Sequence, residues 1–370
     1  MDEAGIVRDI LARAGIAVNG NNPWDIDVHD TRFYNRLLGE GILGAGESYM
    51  DRWWDCKALD QFVYRVARAD LGRALSGDKL RLLIYYLRSR ALNLQSKARA
   101  FRIGEHYNLG NDLFEKMLGR SMVYSCGYWR SAQTLDGAQE NKLNLVCRKI
   151  GLQQGMKILD IGCGWGSFAK FACERFGARV TGITVSEEQL RFAGRVCKDL
   201  PIELRLQDYR EVNGEFDAVV SIGMFEHVGH KNYRTFMEVS SRCLKDEGVA
   251  LLHTIGNNLS VKSCSRWTDK YIFPNGMLPS ISQIGKSIEG LFVIEDLHNF
   301  GEDYYKTAME WNRKFQDAWP ELSNKYPDRF KRMWEFYLLS GCGLFLSRTQ
   351  QVWQLVLTKV GRKQPMCRFS

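Results

Sequence analysis

The sequence lacks a long uninterrupted apolar stretch. No window of about 18 residues is both apolar and free of charge, so we predict no membrane-spanning helix. The opening residues, "MDEAGIVRDILARAG", also lack a long apolar core, and we expect no secretion signal. The ten cysteines show no zinc-ligand spacing, which favours free thiols in a reducing cytoplasm.

The positive charge of the chain is unevenly distributed. The 370 residues allow two or three domains and carry a formal net charge of +8. Between residues 65 and 102 there are ten Lys or Arg against two Asp, with apolar stretches such as "LLIYYL" between them. This pattern indicates contact with an anionic membrane surface or with nucleic acid. A solvated helix pair packed on the next domain explains it equally well.

Short apolar strands begin at residue 157 and alternate with helices. Helices are predicted over 167–177 and 186–200, and a helical, aromatic-rich insertion of roughly 50 residues separates the last two strands. The predicted strands are 157–161, 179–184, 202–206, 216–222, 248–255, 291–297 and 352–360. This alternation predicts a doubly wound, largely parallel α/β sheet. Residues 1–90 are predicted to be mainly helical, with 39–55 forming a packed loop.

A glycine-rich turn follows the first strand of this sheet. In "ILDIGCGWGS", Asp160 ends the strand, and Gly162, Gly164 and Gly166 occupy every second position before a helix begins. Glycines let the backbone turn tightly and approach a ligand at a helix N-terminus. The spacing is not the G-x-G-x-x-G of dinucleotide sites, and no G-K-[ST] ending cradles phosphate. Asp160 would repel a pyrophosphate but suits the positive amino-acid end of S-adenosylmethionine.

Polar residues follow the next two strands. "TVSEEQ" begins at Thr184, where the fold brings polar groups to a ribose, and Asp208 in "LQDYR" can accept a hydrogen bond from an adenine amino group. Thr184 stands where many methyltransferases place an acidic residue. Glu187 and Glu188 suit the first turn of a helix. A structural glycine turn with Ser186 as a helix cap is the alternative.

More polar residues converge on the carboxyl edge of the sheet, where open α/β folds bind ligands. Glu226 and His227 follow the fourth strand, His253 ends the fifth, and Tyr304 lies just past the sixth. Polar groups are costly to bury for packing alone. Each could instead cap a neighbouring loop, and for His227 that alternative is favoured, because adjacent residues often point apart.

Motifs along nearly the whole chain resemble those of the cyclopropane-fatty-acyl-phospholipid synthases. They occur in the family's order: "GILGAGESYMDRWWD", "EHYNLGNDLF", "YSCGYW", "LDIGCGWGS", "GMFEHVG", "LLHTIG", "KYIFPNGMLPS", "HNFGEDY" and "SGCGLF". The resemblance implies a class I methyltransferase sheet of seven strands with a helical insertion between strands six and seven. It also implies a mainly helical N-terminal domain, 1–90, for membrane contact or dimerisation, and a catalytic domain, 91–370.

The resemblance implies methylene transfer from S-adenosylmethionine to the cis double bond of a phospholipid acyl chain. A bicarbonate ion is implied as the base that deprotonates the carbocation. Its implied ligands are Cys126, Glu226, His253, Tyr304 and the backbone of Ile255. In one arrangement, Glu226 accepts a hydrogen bond from the protonated side of bicarbonate. In the other, His253 carries a compensating positive charge. The implied cofactor residues are Tyr124, Ser125, Asp160, Gly162, Cys163, Gly164, Gly166, Thr184, Val185, Gln189, Gln207, Asp208 and Tyr209.

Two cysteines compete for a catalytic role. Cys342, in "SGCGLF", corresponds to a position often marked as the active site in the family, but a small apolar residue on a helix is the favoured interpretation. Cys126 lies among aromatic residues, which suit a cation better than a thiolate. We therefore interpret Cys126 as a polar anchor for the anion.

The resemblance also implies partners. The substrate is an unsaturated phospholipid, so we expect a cytoplasmic, peripheral protein at the inner face of an anionic membrane, contacting it through 65–102. An apolar acyl tunnel roofed by 305–350 and a homodimer are further expectations. The alternatives are a related enzyme making a methyl-branched acyl chain, a nucleic-acid methyltransferase and a non-enzymatic lipid-binding dimer. The sequence lacks an N-P-P-[YF]-like tetrapeptide, which disfavours nucleic acid as a partner.

Overall fold

The computed structural model of the protein describes residues 3–69 and 110–369. These residues form two compact units. The helical unit contains the N-terminal described residues together with Cys264–Pro274 and Tyr304–Gln350, and the sheet unit contains the remainder. The basic stretch 65–102 lies almost entirely outside the described residues. No helix among the described residues is both long and apolar enough to cross a membrane.

The sheet unit contains a sheet of seven strands in the order β5-β4-β3-β6-β7-β9-β8. The strands are β3 (Lys157–Ile161), β4 (Arg179–Thr184), β5 (Ile202–Leu206), β6 (Phe216–Ile222), β7 (Leu244–Asn257), β8 (Phe292–Asn299) and β9 (Gln350–Lys359). Strands β3 to β7 pair in parallel, and β8 pairs with β9 in antiparallel fashion. The predicted seven-stranded α/β fold is confirmed. The chain leaves β3 towards β4 and β5 and returns at β6, so the topological switch point lies between β3 and β6.

Both faces of the central strands of this sheet are buried. Along β3, Leu159 and Ile161 point into one apolar cluster, whereas Ile158 points into the other. This alternation arises because successive side chains of a strand point to opposite faces. The helices of this unit are α5 (Asn111–Leu118), α6 (Leu135–Lys149), α7 (Ser167–Phe176), α8 (Glu187–Val196), α9 (Tyr233–Cys243) and α11 (Ile281–Ile288). Continuous apolar strands covered on both faces are typical of parallel sheets.

The helical unit is built from α1 (Glu3–Ala12), α2 (Arg32–Glu40), α3 (Ile42–Met50), α4 (Leu59–Arg68), α10 (Arg266–Tyr271), α13 (Asp328–Leu346) and most of α12 (Gly301–Leu322). A small antiparallel pair, β1 (Asp27–Val28) and β2 (Trp54–Asp55), completes it. The predicted helical insertion between the last two strands is confirmed as α12 and α13. Its Trp311, Phe315 and Trp334 are fully buried and form part of the core of this unit.

The prediction that 39–55 is a packed loop is wrong, because most of this segment is α3. Glycines usually disfavour helix, but here close packing requires them. An added Cβ at Gly44 would overlap the carbonyl oxygen of Arg36, and one at Gly46 would overlap the Trp267 ring. The domain boundary predicted at residue 90 stays a prediction, since 70–109 lie outside the described residues. The division by contacts differs from it in joining Cys264–Pro274 and Tyr304–Gln350 to the N-terminal helices.

Candidate active site

A cavity lies at the carboxyl ends of β3, β4, β5 and β6, beside the switch point. Every predicted cofactor residue except Gly166 lines it: Tyr124, Ser125, Asp160, Gly162, Cys163, Gly164, Thr184, Val185, Gln189, Gln207, Asp208 and Tyr209. Other lining residues, among them Lys142, Trp165, Met224 and His227, were not identified as cofactor residues from the sequence. The residues that follow β3, β4 and β5 therefore meet in one cavity. In the sequence, their only common feature is their position after a strand.

The glycine turn shapes one wall of this cavity. Gly162, Gly164 and Gly166 all have positive φ values of 85°, 54° and 86°, which non-glycine residues adopt only with strain. Gly162 also packs closely, since an added Cβ would lie 2.7 Å from that of Met224. Gly166 is the N-cap of α7, and its added Cβ would meet the Cys197 sulfur at 2.8 Å. Gly166 therefore serves packing behind the cavity.

Asp160 is a buried carboxylate at the end of β3. Only 2% of the residue is exposed, and no described residue hydrogen-bonds its Oδ2. Burial raises the pKa of Asp160, and the positive charge of Lys142 opposes that rise. An orphaned buried carboxylate oxygen calls for a partner. The ammonium group of an amino-acid moiety has the charge and donors that this oxygen requires.

The tip of β4 holds a short polar network. The Thr184 hydroxyl donates to Gln189 Oε1 at 2.9 Å and accepts from the backbone N–H of Ser186 at 3.2 Å. Ser186 also caps α8, since its side chain accepts from the N–H of Gln189. The helix-cap interpretation of Ser186 is therefore confirmed, while the capped turn still lines the cavity. Many methyltransferases have an acidic residue at the end of the second strand. This chain has Thr184 there, and its hydroxyl orients the side-chain amide of Gln189.

Asp208 follows β5 and is only 3% exposed. Its Oδ1 accepts from Arg210 Nε at 2.8 Å, and its Oδ2 accepts from Arg210 Nη2 at 2.6 Å. This two-point ion pair fixes the orientation of the carboxylate at the cavity wall. The backbone N–H of Arg210 also donates to Oδ1, at 3.0 Å.

Two side chains of α6 hold Ser125 in place. Lys142 Nζ donates to Ser125 Oγ at 2.8 Å, and Gln139 Nε2 donates to the Ser125 carbonyl at 2.8 Å. Lys142 and Gln139 are fully buried. Neither was identified from the sequence, because they belong to no recognisable motif. Their three-residue spacing, which places them on one helix face, was the only available signal.

Glu226 lies after β6 and bonds to the neighbouring strand β7. Its Oε1 accepts from the backbone N–H of Ile255 at 2.6 Å, whereas no described residue hydrogen-bonds its Oε2. Burial raises the pKa of Glu226 to about 7, and the Ile255 hydrogen bond opposes that rise. The predicted residues Glu226 and Ile255 are thus brought together. The Ile255 N–H is, however, already engaged by the carboxylate.

His253, two residues earlier on β7, is buried and neutral. Burial lowers its pKa well below the usual value, and the charges of Lys142 and Lys149 lower it further. Gln354 on β9 has its Nε2 at 3.3 Å from His253 Nδ1. With the Gln354 amide in this orientation, its N–H donates to Nδ1, and the ring proton then lies on Nε2. Gln354 could not be identified from the sequence, because it lies on a strand that is far from His253 along the chain.

The neighbouring residues Glu226 and His227 point to different places. His227 lines the cofactor cavity, whereas Glu226 does not. Burial lowers the pKa of His227 to about 4, so its ring is neutral at physiological pH. The favoured interpretation that His227 caps a neighbouring loop stays a prediction.

The two competing cysteines belong to different units. Cys126, in the sheet unit, is fully buried, and its thiol lies 3.2 Å from the Gly127 carbonyl. Cys342 lies in α13 of the helical unit, also fully buried, with its sulfur 3.9 Å from the Tyr305 carbonyl. Burial raises the pKa of Cys342 far above its usual value, which makes its thiol a poor nucleophile.

Tyr304 also belongs to the helical unit. Its ring stacks on Phe345 with centroids 4.4 Å apart and meets Trp311 edge-on at 5.7 Å. Its predicted role as an anion ligand stays a prediction.

Comparison with known proteins decides the family. The protein-family model described as mycolic acid cyclopropane synthetase matches residues 94–355 of this chain. The chain belongs to this family. It is 49% identical over 358 residues to the cyclopropane-fatty-acyl-phospholipid synthase of Escherichia coli K12, covering 96% of this chain and 93% of that one. It is 31% identical over 356 residues to a tuberculostearic acid methyltransferase of Mycobacterium tuberculosis, covering 88% and 81%.

Solved structures agree with this assignment. A cyclopropane synthase from Mycobacterium tuberculosis matches with a TM-score of 0.66 and 28% identity, over 70% of this chain and 98% of that one. A mycolic acid cyclopropane synthase in complex with SAH and CTAB matches with a TM-score of 0.66 and 29% identity, over 72% and 99%. The recognised resemblance and the class I methyltransferase fold are therefore confirmed. The chain is an S-adenosylmethionine-dependent methyltransferase of the mycolic acid cyclopropane synthetase family.

Proposed function

We propose that this enzyme transfers a methylene group from S-adenosylmethionine to the cis double bond of a phospholipid acyl chain, forming a cyclopropane ring. The observation that carries the proposal is near full-length identity of 49% to a cyclopropane-fatty-acyl-phospholipid synthase. The buried, orphaned carboxylate oxygen of Asp160 in the cavity supports the choice of cofactor. S-adenosylmethionine supplies an electrophilic methyl group on a positively charged sulfur.

Three parts of the cavity suit the three parts of this cofactor. Asp160 would bind its α-ammonium group, and the network at Thr184 and Gln189 would meet the ribose. Asp208, held by Arg210, would accept from the adenine amino group. The remaining predicted residues, including Tyr124, Ser125 and Gln207, would enclose the rest. This fixed enclosure is what methyl transfer to an alkene requires, because a weak nucleophile reacts only when held close and in line.

The surroundings of His253 suit a positively charged intermediate on the acyl chain. The ring of Phe300 lies 5.6 Å from those of His253 and Tyr128. Aromatic faces attract a cation without forming a bond to it. His253 Nδ1 accepts the hydrogen bond from Gln354, and Nε2 carries the ring proton. His253 therefore has no free lone pair to trap the cation.

Bicarbonate would act as the base that removes a proton from the new methyl group. Glu226 Oε2, which no described residue hydrogen-bonds, would accept from the hydroxyl of that ion. His253 Nε2–H would donate to one of its other oxygens. Because His253 is neutral, we favour the first of the two arrangements. In it the deprotonated form of Glu226, which predominates above about pH 7, orients the protonated side of bicarbonate. Cys126 and Tyr304 complete the proposed ligand set. The backbone N–H of Ile255, predicted as a further ligand, would act indirectly, because it holds Glu226 Oε1.

The substrate further implies where the enzyme works. We propose a homodimer, cytoplasmic and bound peripherally to the inner face of an anionic membrane. The net charge of +8 supports this attraction. An acyl tunnel roofed by 305–350 remains part of the proposal. Most of the aromatic side chains in that segment are buried in the helical unit's own core, so only the partly buried ones are candidates to line it.

The product tests the proposal and separates it from its main rival. Lipids of cells that express the enzyme would be analysed by mass spectrometry and compared with cells expressing Asp160→Asn. Cyclopropanation predicts acyl chains heavier by one CH₂ group, with no alkene and no branch. A methyl branch would favour the rival activity. This rival is worth testing because one relative is named a tuberculostearic acid methyltransferase. Unchanged lipids would contradict both.

A further inference from the structure

Lys142 is a buried lysine at the centre of the cofactor cavity's wall. It lies on α6, its residue is 0% exposed, and its side chain lines the cavity together with Asp160 and Ser125. Its ammonium group donates to Ser125 Oγ at 2.8 Å. None of the roles proposed above requires it.

Burying an ammonium group is costly unless it is paired and hydrogen-bonded. Ser125 supplies only a neutral acceptor, so the hydrogen bond alone does not balance the charge. Asp160 from β3 lines the same cavity as Lys142. Cys126, from the loop after α5, and His253, from β7, also interact electrostatically with Lys142. His253 is neutral, and Asp160 is the only carboxylate among these three. The composition of the cluster therefore identifies Asp160 as the balancing group.

The two side chains act on each other in the expected directions. Burial lowers the pKa of Lys142 to about 7, and Cys126 and Asp160 oppose that change. Burial raises the pKa of Asp160, and Lys142 opposes it in turn. Each group thus favours the charged form of the other. No hydrogen bond joins Lys142 to Asp160 Oδ2 among the described residues, so the carboxylate keeps this oxygen available for a ligand.

We propose that Lys142 is a positioning residue, the buried counter-ion that keeps Asp160 ionised to receive the cofactor's ammonium group while it fixes the Ser125 turn. This inference rests on the proposed placement of S-adenosylmethionine at Asp160. A lysine that merely anchors Ser125 would leave the charge state of Asp160 unaffected. The two roles therefore differ in how cofactor affinity depends on pH.

The test is isothermal titration of SAH into the full-length enzyme between about pH 6 and pH 8.5. The variants are Lys142→Met, which removes both bond and charge, and Ser125→Ala, which removes the bond alone. Lys170→Met, a half-exposed lysine on α7, controls for the loss of one charge. The measured quantity is the ratio of each variant's Kd to that of the wild type, so that ionisation of SAH itself cancels.

Without Lys142, the pKa of Asp160 rises further, and the carboxylate is protonated at neutral pH. We expect the Lys142→Met ratio to be about tenfold at pH 7 for each unit of this rise, and to fall towards one as pH increases. The ratios of Ser125→Ala and Lys170→Met should not change with pH. A Lys142→Met ratio that is also constant with pH would overturn the counter-ion role.

A second measurement covers the case in which Lys142→Met is too unstable to titrate. Thermal unfolding would compare Lys142→Met with the double variant Lys142→Met/Asp160→Asn. Counter-ions predict that the double variant is the more stable. Without Lys142, Asp160 must either be buried as an unbalanced charge or take up a proton on folding, and Asn does neither. Additive destabilisation would refute the inference. If the cofactor does not bind at Asp160, Asp160→Asn will bind SAH as the wild type does. That result distinguishes failure of the proposed cofactor placement from failure of the counter-ion role.

Discussion

Gly343, directly after Cys342 on α13, predicts a large difference between two neighbouring glycine substitutions. A Cβ added at Gly343 would lie 2.6 Å from the carbonyl oxygen of Asp60 and 2.7 Å from the Cβ of Val63, both on α4. At Gly341, one residue before Cys342, an added Cβ would meet nothing within 4 Å. Both positions are inside the same helix, so they form a matched pair.

Each substitution to Ala gains the same helix propensity, about 1 kcal/mol, and this gain cancels when the two are compared. What remains is the overpacking of α13 against α4, about 1–3 kcal/mol. The contacted backbone atoms cannot move aside as a flexible side chain can. For about 2 kcal/mol, we expect the apparent Tm of Gly343→Ala to lie about 4–8 °C below that of Gly341→Ala.

The assay is thermal unfolding of both variants and the wild type under identical conditions. Gly341→Ala should unfold at or slightly above the wild-type temperature. Equal Tm values for the two variants would refute the close approach of α13 and α4. Confirmation would explain "SGCGLF" as a helix-packing motif, with no chemical role required for Cys342.

The remaining predictions concern single side chains. Cys126→Ser should keep substantial methyl transfer while Cys126→Ala loses more, as expected for a polar anchor; equal and complete loss in both would favour a nucleophile. Cys342→Ala should retain most of its turnover, and loss of turnover without loss of Tm would contradict a structural role. Glu226→Gln should lower turnover by about 10²–10⁴-fold while SAH affinity stays unchanged, because Glu226 does not line the cofactor cavity. A matching loss of SAH affinity would count against that assignment.

The sheet and the cofactor cavity could be predicted from the sequence because their signals are local. Each of β3, β4, β5 and β6 is a short apolar run with the bounds expected from periodicity. The fold then brings the residues after these strands to one edge. Asp160, Thr184 and Asp208 line the cavity for this reason, while their roles towards the cofactor stay predictions.

The parts that could not be predicted depend on contacts between distant segments. Gln354 meets His253 across the β7–β9 pair, 101 residues along the chain, and Lys142 meets Ser125 from a helix that carries no motif. The helical assignment of α3 was missed because Gly44 and Gly46 favour a loop by propensity. Their requirement for close packing appears only once Arg36 and Trp267 are in place.

The most direct test of the central claim uses vesicles of unsaturated phospholipid with S-adenosylmethionine labelled in its methyl group. We expect label in the acyl chains as cyclopropane, with little or none for Asp160→Asn. We also expect a lower rate when bicarbonate is removed from the buffer. If the wild-type enzyme, folded and able to bind SAH, leaves no label in the acyl chains, the enzyme does not perform the proposed reaction.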